Sequence, residues 1–244
     1  MADMIAQSGK ELFEVPIDQP TTELWRDILR AVRAADIVID VTQDDADRRR
    51  LIDGALSYLA AIEESDFTTG FMEIDTEIKN LRERLFTLDP HIRERFLDKL
   101  AQLCHVTEQL RKAPTSHEYA QLTRLEGQLT TRLFSLTASE HAKSSPGFQA
   151  FTQWFARLGR LGNVVDSVAD MPPDYDSGLT IIQPTLSNRV SLLTSSATDV
   201  LSVMKNINPS SFVSFARSVR FATTNPNKDV HYRAIASTIN KQRE

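Results

Sequence analysis

Phe71-Met72-Glu73-Ile74-Asp75-Thr76-Glu77-Ile78-Lys79-Asn80-Leu81-Arg82-Glu83-Arg84-Leu85 is the stretch from which the fold is read. Phe71, Ile74, Ile78, Leu81 and Leu85 recur at spacings of three and four, which places all five on one face of a helix and leaves the opposite face charged. Pro90 bounds this helix on its C-terminal side. Working outward, the same period predicts a helix from Thr21 or Thr22, as cap, to about Val41. Further helices are expected over 46–64, 92–111, 116–136, 148–170, 187–206, 211–222 and 228–242, with Ser116 capping the fifth in chain order. Pro172-Pro173 are expected to end the helix that starts at Phe148, and a loop of about a dozen residues to follow.

Residues 1–20 carry two prolines, Pro16 and Pro20, and read as an N-terminal arm that packs late or stays mobile; residues 21–244 read as one all-α, single-domain helical bundle. Composition agrees with this. The chain has 244 residues, 41% hydrophobic and 25% charged, enough to bury a core as one domain, and only eight glycines. A formal charge of −5 disfavours binding to a nucleic-acid backbone. The single cysteine, Cys104, precludes an internal disulfide and suits a reducing cytoplasm. Neither a signal peptide nor a run of ~18 apolar residues is present, so an oily substrate would be met inside the fold or at a membrane surface.

Two carboxylate pairs point to chemistry. In Asp36-Ile37-Val38-Ile39-Asp40 the acids lie one turn apart on one helix face beside an apolar stripe, where they repel each other unless a cation compensates. Arg33, one turn ahead, supplies part of that, and Mg2+ is the natural remainder, being bound by one or two carboxylates with phosphate oxygens and water. The pattern recurs at Asp166-Ser167-Val168-Ala169-Asp170. Gly162 and Gly159 lie one and two turns back, so this helix face is expected to be bare and to wall a pocket. Carboxylate pairs at this spacing are also frequent on solvated helix faces; the repetition, the apolar flanks and the glycines favour a site. The five histidines have no metal-ligand spacing, and Asp44, Asp45 and Asp47 favour a helix start through its dipole.

These residues resemble the squalene/phytoene synthases, which carry two DxxxD motifs on facing helices of an isoprenoid synthase bundle, a little over a hundred residues apart; here Asp36 and Asp166 are 130 apart. Arg33-Ala34-Ala35-Asp36-Ile37-Val38-Ile39-Asp40 is similar to the first motif. The run from Asp44 to Leu51 is similar to the helix start that follows. Leu161-Gly162-Asn163-Val164-Val165-Asp166-Ser167-Val168-Ala169-Asp170 resembles the second motif, and Tyr175-Asp176-Ser177-Gly178 the loop after it. Leu125-Glu126-Gly127 falls where the family has a Val-Ala-Gly helix lining the pocket. Val165 stands where the family usually has arginine, and the N-terminal arm is short for the family's basic substrate-binding segment.

The resemblance implies an isoprenoid synthase in which Asp36, Asp40, Asp166 and Asp170 hold Mg2+ and ionise a prenyl diphosphate, with condensation or cyclisation of the chain. It implies further that Arg33, Arg124 and Arg132 bind phosphate oxygens. Gly127, Gly159, Gly162 and Asn163 would line the pocket. Two other readings stay open: a non-catalytic prenyl-diphosphate-binding or regulatory pseudoenzyme, and a helical interaction module.

Overall fold

A computed structural model describes residues 1–42, 44–62 and 66–205. The helices expected over 211–222 and 228–242 lie outside the described residues. Among the described residues the chain is a bundle of helices without strands: α1 Ala2–Phe13, α2 Gln19–Val41, α3 Asp45–Ala60, α4 Met72–Phe86, α5 Pro90–Arg111, α6 Ser116–Leu136, α7 Glu140–Lys143, α8 Phe148–Asp176, α9 Leu186–Ser195 and α10 Ala197–Met204.

Local chemistry sets the starts. Asp18 caps α2, its carboxylate accepting from the Thr21 amide at 2.9 Å, with Pro20 in the first turn, so the cap lies three residues ahead of the expected threonine. Asp44 accepts from the amides of Ala46 and Asp47 and starts α3, in line with the helix-start reading of this acidic run. Asp89 caps α5 ahead of Pro90. Thr115, rather than Ser116, caps α6, bonding the Glu118 amide at 3.2 Å. The α4 stripe is buried at Ile74, Ile78, Leu81 and Leu85.

The N-terminal arm carries a helix of its own. Residues 2–13 form a helix that docks on α2 and α8. Ala2, Ile5 and Val15 are buried, and the Phe13 ring packs against Phe151 and Trp154 with centroids 6.0 and 5.5 Å away. An apolar stripe shorter than three turns is enough to anchor a helix once a core face waits for it, and Arg26 pairs with Asp3 across the contact.

Most of the core is one cluster joining α1, α2, α4, α5, α6 and α8, with Trp25, Ile28, Leu85, Phe96, Leu133 and Phe151 buried inside it. The Trp25 indole donates to the Phe134 carbonyl at 3.0 Å and is 3.2 Å from the Thr137 hydroxyl, which ties α2 to the end of α6 without leaving a buried donor unpaired. A smaller cluster around Tyr119, Val164, Met171, Ile182 and Leu192 seals the C-terminal half of α8 against α6 and α9.

The end of α8 differs from expectation. Pro172 and Pro173 sit inside the helix, which continues to Asp176. Each proline removes a backbone bond. The helical path is held by the fully buried Met171 and by Ser177, whose amide and hydroxyl bond the Pro173 carbonyl at 3.0 and 2.8 Å. The expected helix over 187–206 is two, α9 and α10, broken at Ser196, whose hydroxyl turns back onto the Leu193 carbonyl at 2.9 Å.

Candidate functional site

α2 and α8 bring their acids into one electrostatic neighbourhood. Asp36 and Asp40 stand one turn apart on the last third of α2. Asp166 and Asp170 do the same on α8, and the helix past the two prolines adds Asp174 four residues on, so α8 presents three carboxylates along one face. Glu126 joins them from α6. Its Oε1 accepts from the Thr107 hydroxyl at 2.7 Å, and its Oε2 accepts from the Asn163 amide at 2.7 Å.

Three of these acids, Asp40, Asp174 and Glu126, are pushed up in proton affinity. Burial pushes the Asp40 carboxyl up to about 8, helped by repulsion from Asp36, Asp174 and Glu126 and opposed by Arg111. Asp174 rises to about 7 through burial and then the charges of Asp170, Asp36 and Asp166. Glu126 also reaches about 7, through burial and the charges of Asp36 and Asp166, although its bonds from Thr107 and Asn163 pull the other way. Residues of α2, α6 and α8 thus act on one another's protons across the bundle. Asp40 keeps 44% of its side chain accessible, so solvent still reaches the carboxylate.

The Arg111 guanidinium answers part of this charge. Arg111, at the end of α5, donates to the Ile39 carbonyl at 3.0 Å and lies 4.0 Å from the Asp40 carboxylate, with 12% of its side chain exposed. Burial, and after it repulsion from Arg48, lowers its proton affinity, while Asp40, Glu108 and Asp36 raise it. Arg48 is itself buried and occupied by Glu108 at 2.6 Å, by the Thr42 carbonyl at 2.7 Å and by Asp45. It fixes the segment between α2 and α3 against α5 and leaves Arg111 to face the acids.

The other expected site residues divide. Arg33 is exposed on α2, one turn ahead of Asp36. Arg124 is instead held by Asp199 of α10 at 2.9 Å, beside Arg160, whose Nε reaches the same carboxylate at 3.0 Å. Asp199 is buried and takes both guanidiniums as compensation. Arg132 lines a separate groove with Arg157 and Arg160. Neither arginine is placed among the acids.

Gly127 and Gly159 pack against each other. A Cβ on Gly127 would meet the Gly159 carbonyl oxygen at 2.2 Å, and one on Gly159 would meet the Gly127 oxygen at 2.4 Å, so the pair lets the α6 and α8 backbones touch. That contact brings Asn163 to Glu126. Gly162 does face open space.

Sequence reading missed three members of the site. Glu126 stood in view beside Gly127, at a position where the resembling family has alanine. Asp174 continues the four-residue period of Asp166 and Asp170, hidden by the reading of the prolines as terminators. Arg111 carries no sequence signal, because nothing local marks the end of α5 as a neighbour of Asp40.

Among the described residues no three acid, histidine or cysteine side chains converge on a single ligating point. Among the described residues no helix is long and apolar enough to cross a membrane. The chain matches no family model, no curated protein and no solved structure.

Proposed function

We propose that the chain is a Mg2+-dependent isoprenoid synthase that binds a prenyl diphosphate between α2 and α8 and releases pyrophosphate, with condensation or cyclisation of the prenyl chain. One observation carries this reading. Asp36 of the first motif and Asp166 and Asp170 of the second all push up the proton affinity of Asp174, one turn beyond the second motif, so acids far apart in sequence lie within electrostatic reach of one group. Asp36 and Asp40 would hold metal from one side, and Asp166, Asp170 and Asp174 from the other. Bound Mg2+ would neutralise the diphosphate and stabilise its departure.

The protein's own groups have separate tasks. Arg111, already beside Asp40, would bind a phosphate oxygen directly. Glu126 would stay anchored by Asn163 and Thr107 and hold the α6 side of the recess in place. A small apolar slot of ≈ 70 Å³ bounded by Ala35, Ile39, Leu56, Phe67 and Leu100 borders the same helix α2 and would have to widen to shelter prenyl carbons from water. A reducing cytoplasm remains the proposed setting, and burial pushes the lone Cys104 thiol up to about 11, which makes it inert.

A second reading, a prenyl-diphosphate-binding protein without turnover, is favoured by the engagement of Arg124 with Asp199 and the placement of Arg132 elsewhere, which leave Arg111 as the guanidinium among the acids. The test is incubation with Mg2+ and farnesyl or geranylgeranyl diphosphate, reading pyrophosphate release from wild type and from Asp36→Asn and Asp170→Asn. Each variant should lose at least about tenfold in rate, since ~1.4 kcal/mol of lost charge stabilisation slows a step tenfold. Variants at the wild-type rate would remove these acids from the chemistry, and a wild type inert on both substrates, although it binds them, would establish the second reading.

A further inference from the structure

The opposite half of α8 lines a second, oppositely charged concavity. Between α5, α6, α7 and the first half of α8 lies an open groove of ≈ 1070 Å³, lined by six cationic side chains, Arg95, Lys99, Arg132, Lys143, Arg157 and Arg160, against two acids, Asp89 and Glu140. This excess of positive charge gathers in a protein whose formal charge is −5. Part of it is already satisfied. Lys143 pairs with Glu140 at 2.9 Å, and Arg160 binds Asp199 and donates to Gln128 at 3.1 Å. The Asp89 carboxylate is engaged in capping α5. Lys99 has a neutral partner, Gln102, at 2.8 Å. Arg95, Arg132 and Arg157, one from each of the three long helices, have no ion pair among the described residues.

We propose that this groove is a binding site for a soluble polyanion bearing two or more phosphate groups, separate from the acidic recess. Three guanidiniums converging from different helices offer forked donors to several phosphate oxygens at once, which a run of charge along one helix could not do. Concave walls focus the positive potential and favour a small ligand that enters the groove over a flat surface laid against it. The first turn of α5, at His91 and Ile92, also borders the groove, so that helix dipole adds to the attraction. Ser135, Thr131 and Gln153 supply neutral hydrogen-bonding groups.

The two sites are spatially distinct. Along α8, at ~1.5 Å per residue, Arg157 and Asp170 are about 20 Å apart, and Arg160 and Asp166, the nearest members of the two sets, about 9 Å apart. The inference does not rest on the synthase reading, and the requirement for metal separates the two, because a phosphate cannot approach six carboxylates without cations whereas the groove needs none.

The experiment is calorimetric titration of the full chain with inorganic tripolyphosphate in EDTA at low salt. Saturable binding is expected, weakening as salt is raised. The double variant Arg132→Gln/Arg157→Gln should bind at least tenfold more weakly, Arg132→Lys/Arg157→Lys should retain most of the affinity, and Asp166→Asn/Asp170→Asn should bind as wild type does. Circular dichroism of each variant verifies folding. No binding by wild type, or binding that the arginine variants leave unchanged, overturns the proposal. So does binding to vesicles containing phosphatidylinositol bisphosphate without any affinity for free tripolyphosphate, which would make the groove a lipid-headgroup surface.

Discussion

Replacing Gly127 and Gly162 by alanine, one at a time, should change stability in opposite directions. At Gly127 the new Cβ would lie 2.2 Å from the Gly159 oxygen, 2.6 Å from its carbonyl carbon and 3.0 Å from the Arg160 nitrogen. A carbon–oxygen contact settles near ~3.3 Å, so the α6 and α8 backbones must part by about 1 Å. Every obstructing atom is backbone, and no rotamer can relieve the clash. Overpacking of this kind costs about 1–3 kcal/mol, here at or beyond the upper end, while alanine returns about 1 kcal/mol of helix propensity. A net loss of ~2 kcal/mol lowers Tm by roughly 4–8 °C in a chain of this size. At Gly162 nothing lies within 4 Å of the new Cβ, so the propensity term stands alone and should raise Tm by about 2–4 °C. Thermal and urea unfolding followed by circular dichroism would measure both. A Gly127→Ala protein as stable as wild type would refute the backbone contact and return Gly127 to the wall of a pocket.

Without Mg2+ the protein should be less stable at pH 8 than at pH 5.5. Asp40, Asp174 and Glu126 take folded values of about 8, 7 and 7, above their unfolded values near 4, so the folded state holds more protons across that window and stability falls as pH rises through it; a melting temperature that climbs over this range would contradict the crowded recess. Adding Mg2+ with pyrophosphate at pH 8 should raise Tm by more than the two separate shifts combined, because the metal shell needs both donor types; simple additivity in the same melts would count against a shared site. Arg48→Ala should destabilise by about 3–5 kcal/mol, since it strips a 2.6 Å partner from Glu108, 13% exposed, and Arg48→Ala/Glu108→Gln should recover part of the loss in urea unfolding; no recovery would mean that the pair is not coupled.

The helices were legible in the chain because their causes are local. The three-and-four spacing of Ile74, Ile78, Leu81 and Leu85, together with the side-chain caps, acts within a turn or two of itself, and the carboxylate pairs of α2 and α8 follow from the same period. What tertiary structure alone decided are the partners. Whether Gly127 lines a cavity or touches Gly159 depends on how closely two helices approach, and whether Arg124 serves a phosphate or Asp199 depends on where α10 folds back, 75 residues away in the chain. Asp174 entered the site because Met171 is buried and Ser177 closes the turn, which holds a helix past two prolines that local rules would let end it. Arg111 and Glu126 face the acids because α5, α6 and α8 pack side by side, a long-range arrangement that no spacing within one helix records.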